Sequence, residues 1–114
     1  MSVTLYHNPR CSKSRQTLAL LEENNVSPNI VKYLETPPTI DTLKEIYAQL
    51  GLDSVRDMMR VKEDVYKTLE LSNASDEALF AAMASHPKLI ERPIFINNGK
   101  AKLGRPPEQV LEIL

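Results

Sequence analysis

Val3-Thr4-Leu5-Tyr6-His7-Asn8-Pro9-Arg10-Cys11-Ser12-Lys13-Ser14-Arg15 is the stretch on which the fold turns. Its first four residues are rich in β-formers and suit a central strand. The run from Ser12 opens a helix in which Leu18 and Leu21 share a face with Ser14, one turn earlier. Asn24-Asn25 ends that helix, and Asn29-Ile30-Val31-Lys32-Tyr33, after Pro28, reads as a second strand. The opening unit is therefore β–α–β, and the handedness of such crossovers makes its strands parallel. At the strand-to-helix junction stands the only cysteine of the chain. A thiol placed there faces the positive end of the helix dipole, orphan N–H groups and nearby Lys and Arg side chains. These favour a thiolate and attract an oxyanion, which makes Cys11 a candidate nucleophile toward an anion.

Beyond Glu35-Thr36-Pro37-Pro38-Thr39 the pattern turns helical. Leu43, Ile46, Tyr47 and Leu50 form an amphipathic stripe that Gly51 stops. Val55, Met58 and Met59 predict a short helix ending at Arg60, and Val65 with Leu69 predict another. Ser75 is a helix N-cap with Asp76 and Glu77 in the first turn, Leu79, Ala82, Met83 and His86 on one face, and Pro87 at the close. Strand signals then return: Pro93-Ile94-Phe95-Ile96, the turn Asn97-Asn98-Gly99, and Lys100-Ala101-Lys102-Leu103 make a hairpin. Gly104-Arg105-Pro106-Pro107 leads into a last helix with Val110, Leu111 and Leu114 facing inward. The order β–α–β, helices, β–β–α predicts an α/β thioredoxin/glutaredoxin-like fold: a four-stranded mixed sheet flanked by helices. One domain is expected over 1–114, with its core at 1–35 and 88–114 and a helical insert at 36–87.

Composition narrows the function. The chain has 114 residues, 42% of them hydrophobic and 25% charged, enough for a core without disulfide or metal staples. A net charge of −1 gives no general pull toward nucleic acid or anionic membrane, so any anion site is built from locally placed Arg and Lys. No apolar run reaches the ~20 residues of a membrane span. Met1-Ser2-Val3-Thr4 shows no leader pattern, and a lone cysteine fits a cytoplasmic protein. With His7 and His86 far apart in sequence, no four-ligand zinc site is expected.

Several side chains could serve Cys11. His7 is either a strand-end histidine satisfied by backbone or a partner of the thiolate, directly or through Ser14. Ser14 takes the place of the second cysteine of a C-x-x-C motif, so an oxidised Cys11 needs a thiol from outside the chain. Arg15 follows Cys11 by four positions, not the six of a phosphatase anion loop, and contributes to this loop at most as a further cation. Arg60 ends a short helix, while Arg92 and Arg105 each precede proline, which biases their backbone to extended geometry. Guanidinium forks suit a tetrahedral oxyanion through paired, charge-assisted hydrogen bonds. Arg92 at a strand entry and Arg105 at the lip of the last helix would border the thiol loop, and Arg92-Pro93 is expected to be cis, facing it.

Tyr6 through Arg15, Tyr33-Leu34-Glu35-Thr36-Pro37, Met59-Arg60, His86-Pro87, Glu91-Arg92-Pro93-Ile94 and Gly104-Arg105-Pro106-Pro107-Glu108 together resemble the glutaredoxin-coupled arsenate reductase family, in its short genomic-type form. The resemblance implies that Cys11 attacks arsenate, that Arg60, Arg92 and Arg105 hold the oxyanion, and that His7 and Ser14 tune the thiol. It also implies glutathione as co-substrate, glutaredoxin as partner and no bound cofactor. Two alternatives remain: an Spx-like RNA polymerase-binding regulator, and a glutathione-dependent thiol oxidoreductase with another substrate.

Overall fold

The computed structural model describes residues 3–114. Of the segment read for a leader, Met1 and Ser2 lie outside the described residues. The chain forms two compact units, Met1–Thr36 with Arg92–Leu114, and Pro37–Glu91.

The first unit holds the sheet. β1 (Val3–Tyr6) leads into α1 (Ser12–Glu23) and β2 (Asn29–Val31), and the hairpin of β3 (Ile94–Asn97) and β4 (Lys100–Leu103) returns after the helical unit. The strand order is β2-β1-β3-β4. β1 runs parallel to β2 with Leu5 opposite Ile30, and antiparallel to β3 with Leu5 opposite Phe95. This is the mixed thioredoxin-like sheet that the sequence predicts. The hairpin turns on Asn98 and Gly99, both at positive φ (56° and 77°), the conformation that an Asn-Gly pair supplies most cheaply. Leu5, Leu21, Phe95 and Val110 are fully buried together, with Val3, Leu18, Val26 and Ile113 packed against them. Truncating Leu5 or Phe95 to alanine in such a core costs about 2–5 kcal/mol.

The end of the chain departs from expectation. Pro107–Ile113 is a 3-10 helix, anchored by Asn97 Nδ2 donating to the Ile113 carbonyl (2.8 Å) and by a Lys102–Glu112 ion pair (3.1 Å). A 3-10 helix repeats every three residues, so Pro107, Val110 and Ile113 turn inward, whereas Leu114, expected inward on an α-helical period, is half exposed.

The second unit is helical. α2 (Ile40–Leu50) starts at Thr39, whose Oγ1 accepts from Thr42 N–H (3.2 Å), and stops at Gly51 with φ 66°. α4 (Asp76–Ser85) starts at Ser75, whose Oγ accepts from Ala78 N–H (3.3 Å). The two helices pack together, with Tyr47 edge-on to Phe80 at 5.8 Å and Lys44 paired to Glu77 at 2.8 Å. Val55–Met58 is a 3-10 turn with Val55 and Met58 buried. In α3 (Asp64–Thr68) the buried residue is Tyr66, and Leu69, expected inward, is exposed. A five-residue helix has too few turns to develop a face, so the Tyr66 ring takes the inside place. The unit runs on through Glu91. Leu89 and Ile90 are buried, Arg60 N–H donates to the Leu89 carbonyl (2.7 Å) and Glu91 N–H to that of Met58 (2.8 Å). Among the described residues no helix is long and apolar enough to cross a membrane.

Candidate active site

Cys11 occupies the N-cap position of α1 with extended backbone (φ −93°, ψ 124°). The loop before it is closed by a β-turn in which Cys11 N–H donates to the Asn8 carbonyl at 3.0 Å. Pro9 stands at the second position of that turn, where its fixed φ is pre-set. Asn8 also braces the turn, because its Oδ1 accepts from Arg10 N–H at 3.1 Å. Arg15, expected as a further cation of the loop, extends its guanidinium to the Pro9 carbonyl at 3.0 Å and so ties the loop to α1.

The neutral thiol makes no capping hydrogen bond, which leaves the helix N-terminus to its anion. Burial of Cys11 pushes its pKa up. Against this act the N–H of Ser14, the charge of Arg92, the N–H of Lys13 and a hydrogen bond from the Arg92 side chain, and the thiol ends below its ordinary value. Helix amides and a guanidinium thus outweigh desolvation. Arg105 Nη1 donates to the Arg92 carbonyl at 3.2 Å, so two of the three predicted arginines are hydrogen-bonded to each other. Arg92-Pro93 is cis, as expected, and Arg105-Pro106 is cis as well.

Behind the thiol lies a buried polar pair. Ser14 is fully buried and His7 nearly so, with His7 Nδ1 2.7 Å from Ser14 Oγ. Asn8 N–H donates to the same Oγ at 3.0 Å. Burial, then the charges of Lys32 and Arg15, hold the His7 pKa below its ordinary value, which favours the neutral ring. A neutral ring with its proton on Nε2 accepts the Ser14 hydroxyl proton at Nδ1, while the same oxygen accepts from Asn8 N–H. His7 is thus tied to Ser14, whose own N–H acts on the Cys11 sulfur.

Arg60 belongs to the helical unit, where its side chain lies 3.7 Å from Glu63. Among the described residues no group of three or more His, Cys, Asp or Glu side chains is placed to hold a metal ion. The sequence reading passed over Asn8, although Asn-Pro is a turn-initiating pair and pointed to it. It also passed over Thr17, fully buried in the second turn of α1, which carries no local signal.

A lone thiol that starts the first helix of this sheet, with a guanidinium beside it, defines a thioredoxin-like thiol protein. The model of the ArsC family matches residues 6–113, and the chain belongs to that family. It is 60% identical to Uncharacterized protein YfgD of Escherichia coli K12 over 98% of this chain and 96% of that one. It is 55% identical to an arsenate reductase of Haemophilus influenzae, covering 100% of both. The solved structure of an arsenate reductase from Vibrio cholerae matches with a TM-score of 0.97 at 66% identity, covering 100% of this chain and 98% of that one.

Proposed function

We propose that this protein is an arsenate reductase that works in the cytoplasm with glutathione and glutaredoxin. The observation that supports this reading most is the place of Cys11 at the N-cap of α1, where helix amides and the Arg92 guanidinium draw its pKa down. A thiolate beside fixed positive charge meets the two needs of the chemistry, a nucleophile and a cradle for a tetrahedral oxyanion. Relatives of nearly equal length that carry the name arsenate reductase point the same way.

In the proposed reaction the thiolate attacks arsenic and an arsenate oxygen leaves as water, giving a Cys11–arsenic adduct. Glutathione attacks the adduct; arsenic gains two electrons and leaves as arsenite, and the sulfurs are joined as a disulfide. Glutaredoxin then removes the glutathione and returns Cys11 to its thiol form. The net change is one arsenate and two outside thiols giving one arsenite, one disulfide and one water. Arg92 and Arg105 are the proposed oxyanion ligands of the first unit, and Arg60 is added from the family motif. Next to the loop, a cleft of about 320 Å³ runs between His7–Arg10 and Lys32 with Glu35. Its cations, Arg10 and Lys32, suit the approach of an anionic thiol such as glutathione.

The test is arsenate-dependent NADPH oxidation coupled through glutathione, glutathione reductase and glutaredoxin. Turnover should fall at least about 10³-fold in Cys11→Ser. Wild-type turnover no higher than that of the serine variant would overturn the reading.

A further inference from the structure

Gly104 is buried, and its N–H donates to the Pro93 carbonyl at 3.0 Å. It differs from the other two glycines, Gly51 and Gly99, which sit at positive φ in open space. Gly104 is not at positive φ, yet a Cβ there would lie 2.5 Å from Thr17 Oγ1 and 2.7 Å from Pro93 Cγ. What this position requires is therefore room. Real Cβ atoms do not come so close, and a buried proline ring is not a flexible side-chain end that can swing aside.

The two neighbours stand in the two segments that carry the groups acting on the thiol. Thr17 stands in the second turn of α1 and its Oγ1 donates to the Lys13 carbonyl at 2.9 Å, one turn back. The first turn supplies the Lys13 and Ser14 N–H groups that favour the Cys11 anion. Pro93 follows directly on Arg92, which acts on the same sulfur by charge and by hydrogen bond. Arg105, the residue after Gly104, returns to the Arg92 carbonyl.

We infer that Gly104 is a positioning residue for the thiol: its missing side chain lets α1 and the Arg92-Pro93 segment close to the separation at which amides and guanidinium act on one sulfur. A methyl group at this position wedges the two apart. The Coulomb attraction falls with distance and the hydrogen bond falls more steeply, whereas burial, which opposes ionisation, changes little. This inference does not depend on arsenate being the substrate, because it concerns the thiol alone.

The experiment is the pH profile of Cys11 alkylation by iodoacetamide, with the thermal midpoint recorded beside it. In Gly104→Ala the profile should move to higher pH, with the rate at pH 7 lowered about 3–10-fold, as for half to one unit of pKa, and the alkaline plateau unchanged. Thr17→Ala/Gly104→Ala, which returns room on the α1 side, should move the profile part of the way back. Gly99→Asn, in open space at a turn, should leave it in place. A folded Gly104→Ala protein with the wild-type profile, even one with a lower melting point, would show that Gly104 only fills space and would overturn the inference. Should Gly104→Ala fail to fold, the double variant is compared with Thr17→Ala. A higher-pH profile in the double variant supports the inference, and coincident profiles overturn it.

Discussion

Arg56 and Arg92 are both half-buried arginines, one in the helical unit and one in the sheet unit, and they show two uses of the same side chain. Arg56 is given over to fixed acceptors. Its Nε donates to the Tyr66 hydroxyl at 3.0 Å, and its Nη2 to the carbonyls of Leu71 (2.7 Å), Ser72 (3.1 Å) and Ala74 (3.0 Å). Those carbonyls belong to the 3-10 turn Leu71–Asn73 and its exit, so a single guanidinium gathers the acceptors of a loop, sharing that of Leu71 with the Ala74 N–H. Arg92 acts instead on Cys11, a group whose own charge can change. A cation spread over permanent dipoles stabilises a loop at any pH, whereas a cation beside an ionisable sulfur converts its field into reactivity. Burial and charge alone do not separate the two arginines; what separates them is the acceptor, backbone carbonyls and a phenol hydroxyl for Arg56 and a thiol for Arg92.

The largest effect expected from breaking this contrast is in the sheet unit. Arg92→Ala removes both the Coulomb attraction and the hydrogen bond from the thiolate, as well as a proposed ligand of the oxyanion. Its kcat/KM for arsenate should fall about 10²-fold, the scale of losing one charge-stabilising donor. The alkylation profile of Cys11 should also move to higher pH. An unmoved profile would mean that the helix amides alone depress the thiol and that the two arginines differ less than the structure implies.

The mirror experiment is Arg56→Met. It should lower stability by about 2–3 kcal/mol, because several carbonyls lose a charged donor at once, and leave the Cys11 profile where it was. Urea unfolding gives the first quantity and alkylation the second. A stable Arg56→Met protein would show that water replaces the guanidinium without loss.

Much of this arrangement was legible wherever the chemistry is local. Cys11 after a β-forming run, Ser75 before two acids and Asn98-Gly99 between alternating segments each carry their conformation in adjacent residues. Arg56 could not be read in this way, since its acceptors lie 10 to 18 residues further on and are mostly backbone carbonyls. Gly104 could be read only as a lead-in to Arg105-Pro106, because the atoms that exclude a side chain come from α1 and from the entry to β3. The last helix was misread by period. A 3.6-residue repeat selects Leu111 and Leu114, and only the observed 3-10 winding brings Pro107 and Ile113 to the core side. At the site, the sequence placed Cys11, Ser14 and His7 in the right order, but it left open which of two links His7 makes. That choice depends on burial, which sequence spacing does not reveal.

The smallest effect expected concerns that link, and it tests a titrating group on the non-arginine side of the thiol. The folded pKa of His7 lies below its ordinary value of 6.5, through burial first and then Lys32 and Arg15. Below pH 6.5 the unfolded chain therefore takes up a proton that the folded chain refuses. The stability held above that pH is lost as pH falls toward the folded pKa, and the loss levels off beneath it. Asparagine at this position keeps an acceptor near the place of Nδ1 for the Ser14 hydroxyl and removes the titration. His7→Asn should therefore unfold with a weaker dependence on pH between 7.5 and 5 than wild type, by urea titration at each pH. Parallel curves would place the acid sensitivity elsewhere. If the alkylation profile of this variant also coincides with wild type, then His7 supports Ser14 as a scaffold and the thiol takes its low pKa from the helix amides and Arg92 alone. A profile moved to higher pH would instead extend the charge-to-reactivity conversion proposed for Arg92 through the Ser14 hydroxyl to a neutral ring.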